Sequence, residues 1–229
     1  MSLLIVRQKV IKFSGRYDLV TDGATAAVDN GADFFINAAS RVLDMEGDQD
    51  RALKYYTGGL ATDACQIQLL DCRAVLRVWW ENSDGEWIKL EPARDYEELL
   101  EDYPELTGTE SGTPLMWARE PIHRDPRNQG TSPSMATMGI VVMPPTDTGV
   151  NIRVYGKFYE KTLTENSDAN YWSEEHPLLL TYAALREMET TYRNTQGASD
   201  WENRVQKYLA SISKEIAEAS DAYTMEMEG

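Results

Sequence analysis

The sequence predicts an α+β fold in which helices toward both ends of the chain flank a β-rich middle. Three observations carry that reading. The stretch from His176 onward reads as a helical hairpin, the middle alternates with the two-residue period of strands, and the segment after Asp33 repeats apolar residues in pairs four apart. A chain of 229 residues is long enough to bury a core, and one folding unit with two structural layers is expected. Within it, residues 1–64 form an N-terminal arm and first helix, 65–160 a β-rich insertion, and 161–229 the helical hairpin with an acidic tail.

Residues 1–32 mix turn formers with short apolar pieces and are punctuated by Gly15, Gly23 and Gly31, as in an extended arm or a loose helix-loop segment. Asp33 is placed to cap a helix whose stripe is Phe34, Phe35, Ala38, Ala39, Val42 and Leu43, closed by Gly47. YYTGGLAT then reads as a turn-rich passage.

From Gln66 the period changes. Leu76, Val78 and Trp80 alternate with Arg77 and Trp79, which puts one face of a strand on a core. Asn82-Ser83-Asp84-Gly85 is a hairpin signal, because Asp-Gly suits a turn that needs positive φ. The strand returns through EWIKLEP and ends at Pro92. DYEELLEDYPEL reads as a short amphipathic helix stopped by Pro104, GTPLMWARE as a short strand, and PIHRDPRNQGTSPSM as an exposed loop. A second hairpin is expected from MGIVVMPP, a turn at Thr146-Asp147-Thr148-Gly149, and VNIRVYGKFY, with Val150, Ile152, Val154 and Gly156 on one face.

In the C-terminal hairpin Pro177 suits a first helical turn, since the N–H it lacks would have no intrahelical partner there. Leu178, Leu179, Tyr182, Leu185, Met188, Glu189 and Tyr192 keep helical spacing, with Gly197 as a left-handed stop. Ser199 and Glu202 have the spacing of a capping box for the final helix. On that helix Trp201, Val205, Tyr208, Leu209, Ile212 and Ile216 form the inward stripe, and Arg204, Lys207 and Lys214 face out. Beyond Ala219 the pattern fades into an acidic tail carrying Tyr223, Met225 and Met227, which either frays or docks on a partner.

With 22 Lys+Arg against 38 Asp+Glu the formal charge is −16, which argues against gripping the phosphate backbone of nucleic acid. The two cysteines, Cys65 and Cys72, sit at odd spacing, on opposite faces of a strand unless the chain bends near Asp71. Free thiols are expected rather than a disulfide framework. Leu3–Val6 is apolar, but Arg7, Lys9 and Lys12 interrupt it too early for a signal peptide or membrane span, so a soluble chain is expected.

Chemistry-bearing patterns are sparse. His123 and His176 lie in no HExxH, Ser-His or Cys-His setting, and His176 fits a helix cap beside Pro177. Asp44, Glu46, Asp48 and Asp50 approach a calcium-ligand run but lack its terminal bidentate Glu, and read as a solvated acidic turn. Gly58-Gly59 lacks the Lys and Ser/Thr of a phosphate-cradling loop. Of the six tryptophans, Trp80, Trp172 and Trp201 fall at packing positions, whereas Trp79 and Trp117 are the candidate interface aromatics. No catalytic residue, metal or cofactor is expected, and no enzymatic activity.

SGRYDLV, DNGADFFINAASRVLD, the two hairpin signals with GTPLMWARE between them, MPPTDTG, and HPLLLTYAALREME followed by a final helix together resemble the head-tail adaptor, or connector, proteins of tailed bacteriophages. The likeness spans most of the chain and lies in the order of the pieces. It implies an α-helical bundle from N- and C-terminal helices carrying a β-hairpin-rich insertion. It also implies a homo-oligomeric ring, commonly twelvefold, beneath the portal protein in the virion neck, with assembly in the host cytoplasm. Such a ring continues the DNA channel, lets DNA pass without tight binding, and offers a platform to tail or neck proteins. The C-terminal segment would reach the portal, making Tyr223, Met225 and Met227 candidate portal contacts. An acidic wall fits a channel that should not hold DNA, and repulsion among acidic copies predicts a monomer until portal contacts offset it. The alternatives are another tail-tube or tail-completion protein and, from a different class, a hydrolase using a carboxylate pair such as Asp44 and Glu46.

Overall fold

Leu3, Val6 and Val10 stand at helical spacing, and in the computed structural model they line the buried side of helix α1, Leu3–Ser14. Residues 1–46, 53–104, 111–120 and 136–227 are described, the side chains of 136, 137 and 219–227 excepted. The chain is mixed α+β and forms two compact units rather than one. The first joins Met1–Gln49 to Glu160–Gly229, and the second is Asp50–Tyr159, so the N-terminal boundary falls near residue 50 and not after 64.

The first unit is helical. Of the two alternatives expected for residues 1–32, the extended arm is not found and the helix-loop is, with a regular helix α1, which Gly15 ends in the left-handed conformation (φ +70°), its N–H bonded to the Ile11 carbonyl. The basic residues that broke up the apolar run hid this helix, because one of them, Arg7, faces inward with only 2% of its surface exposed. Helix α2, Ala32–Glu46, buries Phe35, Ile36, Ala39, Ser40, Leu43 and Asp44. The stripe is therefore rotated from the expected one, and Phe34 stands 69% exposed. Asp33 spends its carboxylate on Arg7, and its own N–H donates to Asp29 Oδ1.

After helix α3, Tyr96–Asp102, in the second unit come α4, Tyr171–Glu175, and α5, Pro177–Thr191, with Pro177 in the first turn as expected. Helix α6 runs Thr195–Met227. Gly197 and Ser199 both lie inside α6, so neither the glycine stop nor the Ser199–Glu202 capping box exists. The reversal is made by Arg193 at φ +60°, and Asn194 Oδ1 accepts the Gly197 N–H at 3.2 Å in the manner of an N-cap. The α6 stripe is as expected: Val205, Leu209 and Ile212 are buried, and Arg204, Lys207 and Lys214 are exposed. Helix α5 is the centre of this unit, packing against α1, α2, α4 and α6. Each fully buried Leu or Val here contributes about 1.5–3 kcal/mol relative to exposure.

The second unit is a two-sheet sandwich. Strands β1 (Leu53–Leu60), β2 (Gln66–Leu70), β3 (Cys72–Glu81), β4 (Trp87–Lys89), β5 (Glu91–Pro92), β6 (Met116–Glu120), β7 (Ala136–Met143) and β8 (Val150–Phe158) form sheets ordered β1-β8-β3-β4 and β2-β7-β6-β5. YYTGGLAT is not turn-rich as far as Leu60, since Tyr55–Leu60 belongs to β1 and is paired along its length with β8, and only Ala61 and Thr62 leave the strand. Val75, Val78, Ile152 and Val154 from the first sheet meet Ile67, Leu69, Ile140 and Val142 from the second in one core. Helix α3, Tyr96–Asp102, capped by Asp95, packs through Leu99 on Ala118, Val141 and Met143, the second sheet's face turned away from that core.

Of the two expected hairpins, the first forms: β3 pairs β4 around Gly85 at φ +80°. The second does not. β7 pairs β2 and β6, whereas β8 pairs β1 and β3, so residues 144–149 cross between sheets instead of closing a hairpin. Thr146 in that crossing is fully buried, and its carbonyl accepts the Asp63 N–H at 2.9 Å. EWIKLEP also crosses, from β4 to β5 at the buried Leu90. A third crossing lies at Asp71, whose φ of +54° breaks the strand between the cysteines, so the opposite-face reading fails. Neither cysteine forms a disulfide, and both are buried. Leu76 is 46% exposed because the β3 ladder bulges between Val75 and Arg77, while the shared face of Ile152, Val154 and Gly156 is observed.

Candidate functional site

Alternation in β8 turns Arg153, Tyr155 and Lys157 away from the sandwich core, and register decides what stands beside them. Tyr55 of β1 is paired with Tyr155, and Trp79 of β3 lies between Arg153 and Lys89 of β4. The Tyr55 and Tyr155 rings are 4.8 Å apart, Tyr55 and Trp79 6.2 Å. The Arg153 guanidinium lies 3.8 Å from the centre of the Trp87 ring, a cation–π contact that fixes its orientation. Arg77, paired with Tyr155, adds another cation. The one carboxylate on these outward strand positions is Glu81, which accepts from Asn151 Nδ2 at 2.7 Å. Tyr55 is 64% exposed. This outer face, aromatic and cationic in a chain of charge −16, is the candidate interaction site.

Trp79 lies on this face and is half-buried. Trp117 does not. It is 6% exposed in the sandwich core, its indole N–H without a partner, so it is a packing residue and not a surface aromatic. Tyr55, Arg77, Lys89, Arg153 and Tyr155 were missed. The β8 alternation shows three outward residues of this kind, but the companions on β1 and β4 depend on pairings that the sequence does not state. Tyr223, Met225 and Met227 lie on the α6 backbone, so the segment is helical, and their side chains are outside the described residues.

The second unit also holds a cleft of about 690 Å³ lined by Leu76, Tyr96, Trp117, Arg119, Glu120 and Met138 among others. Burial raises the Glu120 carboxyl above its usual range, and its Oε1 accepts from Gln66 Nε2 at 2.7 Å. Burial likewise pushes the Cys72 thiol up to about 11.

The acidic run is not a solvated turn where it is described. Asp44 is buried, accepting from Trp172 Nε1 at 2.6 Å and from the Glu160 N–H at 2.8 Å. Glu46 lies 3.1 Å from Arg186, which also bonds Glu202 at 2.6 Å and so ties α2, α5 and α6 together. The carboxylate pair that a hydrolase would use thus divides between two structural networks. Asp48, Asp50 and His123 lie outside the described residues. His176 stands at the α4–α5 junction, but its side chain makes no cap. Its Nε2 shares a hydrogen bond with the Tyr171 hydroxyl at 2.8 Å. Among the described residues no three His, Cys, Asp or Glu are grouped to hold a metal, and no helix is long and apolar enough to cross a membrane. Compared with known proteins, the chain matches no family model and no curated protein.

Proposed function

We propose that this protein is a structural component of the tailed-phage neck, a head-tail adaptor that assembles as a ring beneath the portal and catalyses no reaction. The observation that carries the reading is the division of the chain. The first and last segments, Met1–Gln49 and Glu160–Gly229, fold together as one helical unit, and the intervening residues form a separate β unit. An adaptor whose helical bundle is built from both chain ends and carries a β insertion has this plan, although the insertion here is a sandwich in which only one of the two expected hairpins forms. The charge of −16 suits a wall around passing DNA. The adaptor reading places the chain in the host cytoplasm during assembly and in the virion neck afterwards, with portal and tail or neck proteins as partners.

In this reading α6 reaches the portal through Tyr223, Met225 and Met227. Co-sedimentation of the purified chain with the portal protein tests it. The full chain is expected to pellet with the portal, and a chain ending at Ala219 is expected to fold and remain in solution. A full chain that ignores the portal refutes the adaptor reading, and a truncated chain that binds normally refutes the role of the last residues.

A further inference from the structure

We propose that copies of this chain join head to tail through the β unit, the cationic outer face of the β1-β8-β3-β4 sheet on one copy docking on the acidic α3 face of the next. The two surfaces lie on opposite sides of one sandwich. On the first, Arg77, Lys89, Arg153 and Lys157 surround Tyr55 and Trp79. On the second, Glu97, Glu101 and Asp102 are exposed on α3, with Glu91 exposed on β5 and Glu98 partly so. The nearby Arg94 is already paired with Asp95 at 3.0 Å.

Because the surfaces face opposite ways, one molecule cannot satisfy both itself. A two-fold contact would set like charge against like, so the complementary contact is heterologous, and such contacts close into rings when the rotation per copy allows. A duplex is the poorer occupant, since few cations are offered on a chain whose total charge repels phosphate at longer range. The aromatic centre of the sheet supplies apolar contact area at small entropic cost, and the cations around it set register. The inference rests on the ring-forming reading for closure alone. The contact itself does not require the portal.

Two charge-reversed variants test it: Arg77→Glu with Lys89→Glu, which leaves both surfaces acidic, and Glu97→Lys with Glu101→Lys and Asp102→Lys, which leaves both basic. On portal, each variant alone is expected to lose ring assembly at least about tenfold, and an equimolar mixture to restore it, because the copies can then alternate. Without portal, sedimentation velocity at raised protein concentration is expected to show weak, open association in the unaltered chain and in the mixture and none in either variant alone, which also shows that both have folded. Variants that assemble singly as well as the unaltered chain overturn the inference, as does a mixture that stays monomeric. A first variant that loses only binding to a DNA duplex overturns it in favour of nucleic acid. If the unaltered chain ignores the portal while the mixture still associates, the adaptor reading fails and this contact stands.

Discussion

The two units are held together by different means. The sandwich is joined by strand ladders around an apolar core, in which even the indole N–H groups of Trp80 and Trp117 lack partners. The helical unit instead uses directional polar contacts between segments far apart in sequence. Arg7 donates twice to Asp33, at 2.7 and 2.6 Å, and also to the Ala26 and Ala27 carbonyls and Asn166 Oδ1. Ala26 takes a left-handed conformation (φ +51°), at a cost on the order of 1 kcal/mol, while presenting its carbonyl to Arg7. The Asn37 amide imitates a paired strand, donating to the Leu163 carbonyl and accepting its N–H, both at 2.8 Å. Asn170 reaches Ser40 at 2.9 Å. Apolar faces alone would let α1 and α2 slide on α5. These bonds fix which N-terminal residue meets which C-terminal one, as an interrupted unit requires.

The sharpest way to break the contrast is Arg7→Ala, which leaves the half-buried Asp33 without its cation. A loss of about 3–5 kcal/mol is expected, confined to the helical unit. Phe35→Ala should cost about as much through an unfilled core. Hydrogen exchange with mass spectrometry on the full chain checks both. Protection should fall together in 3–14, 32–46 and 177–191 while strands 53–60 and 150–158 keep theirs.

In the sandwich the corresponding weak point is steric. Gly156 of β8 lies where the β3 bulge brings the Ala74 carbonyl so close that an added methyl would collide with it. Gly156→Ala is therefore expected to destabilise the sandwich by about 1–3 kcal/mol, with the exchange pattern reversed.

Acid should separate the units with opposite sign. In the helical unit Asp168 is held well below the usual carboxylate range, chiefly by the Glu165 N–H and by Lys161. Burial opposes the ionised form of Glu202, but the Arg186 hydrogen bond overcomes it and lowers that carboxyl too. Their contributions are present above the ordinary carboxylate range and are lost as pH falls through the lowered values. Glu120 in the sandwich is raised by burial, so its contribution is present below the ordinary value and lost as pH rises through the raised one. Acidification from about pH 6 to about pH 3 should weaken exchange protection in the helical unit before the sandwich. The smallest effect is Phe34→Ala, within about 0.5 kcal/mol by urea unfolding, because the ring is outside the core.

Helix existence was legible wherever apolar spacing was uninterrupted, as in α5 and the α6 stripe. It was hidden in α1, where a buried Arg7 mimics a surface position, and the α2 stripe was misplaced because Phe34 and Phe35 are adjacent and equally apolar. In the β unit, strand positions were largely legible but partners were not. A turn between two strands looks the same in sequence whether it closes a hairpin, as at Gly85, or crosses between sheets, as at residues 144–149. The candidate site was half-legible for the same reason. Alternation in β3 puts Trp79 on the outer face, whereas Trp117 is buried, because the face of a short strand depends on the sheet it joins.

Electron microscopy of the chain mixed with portal tests the central claim most directly. The account predicts closed rings beneath the portal, with an open axial channel, and no closed rings when the portal is omitted. Portal particles without added density, or rings equally abundant without portal, would contradict it.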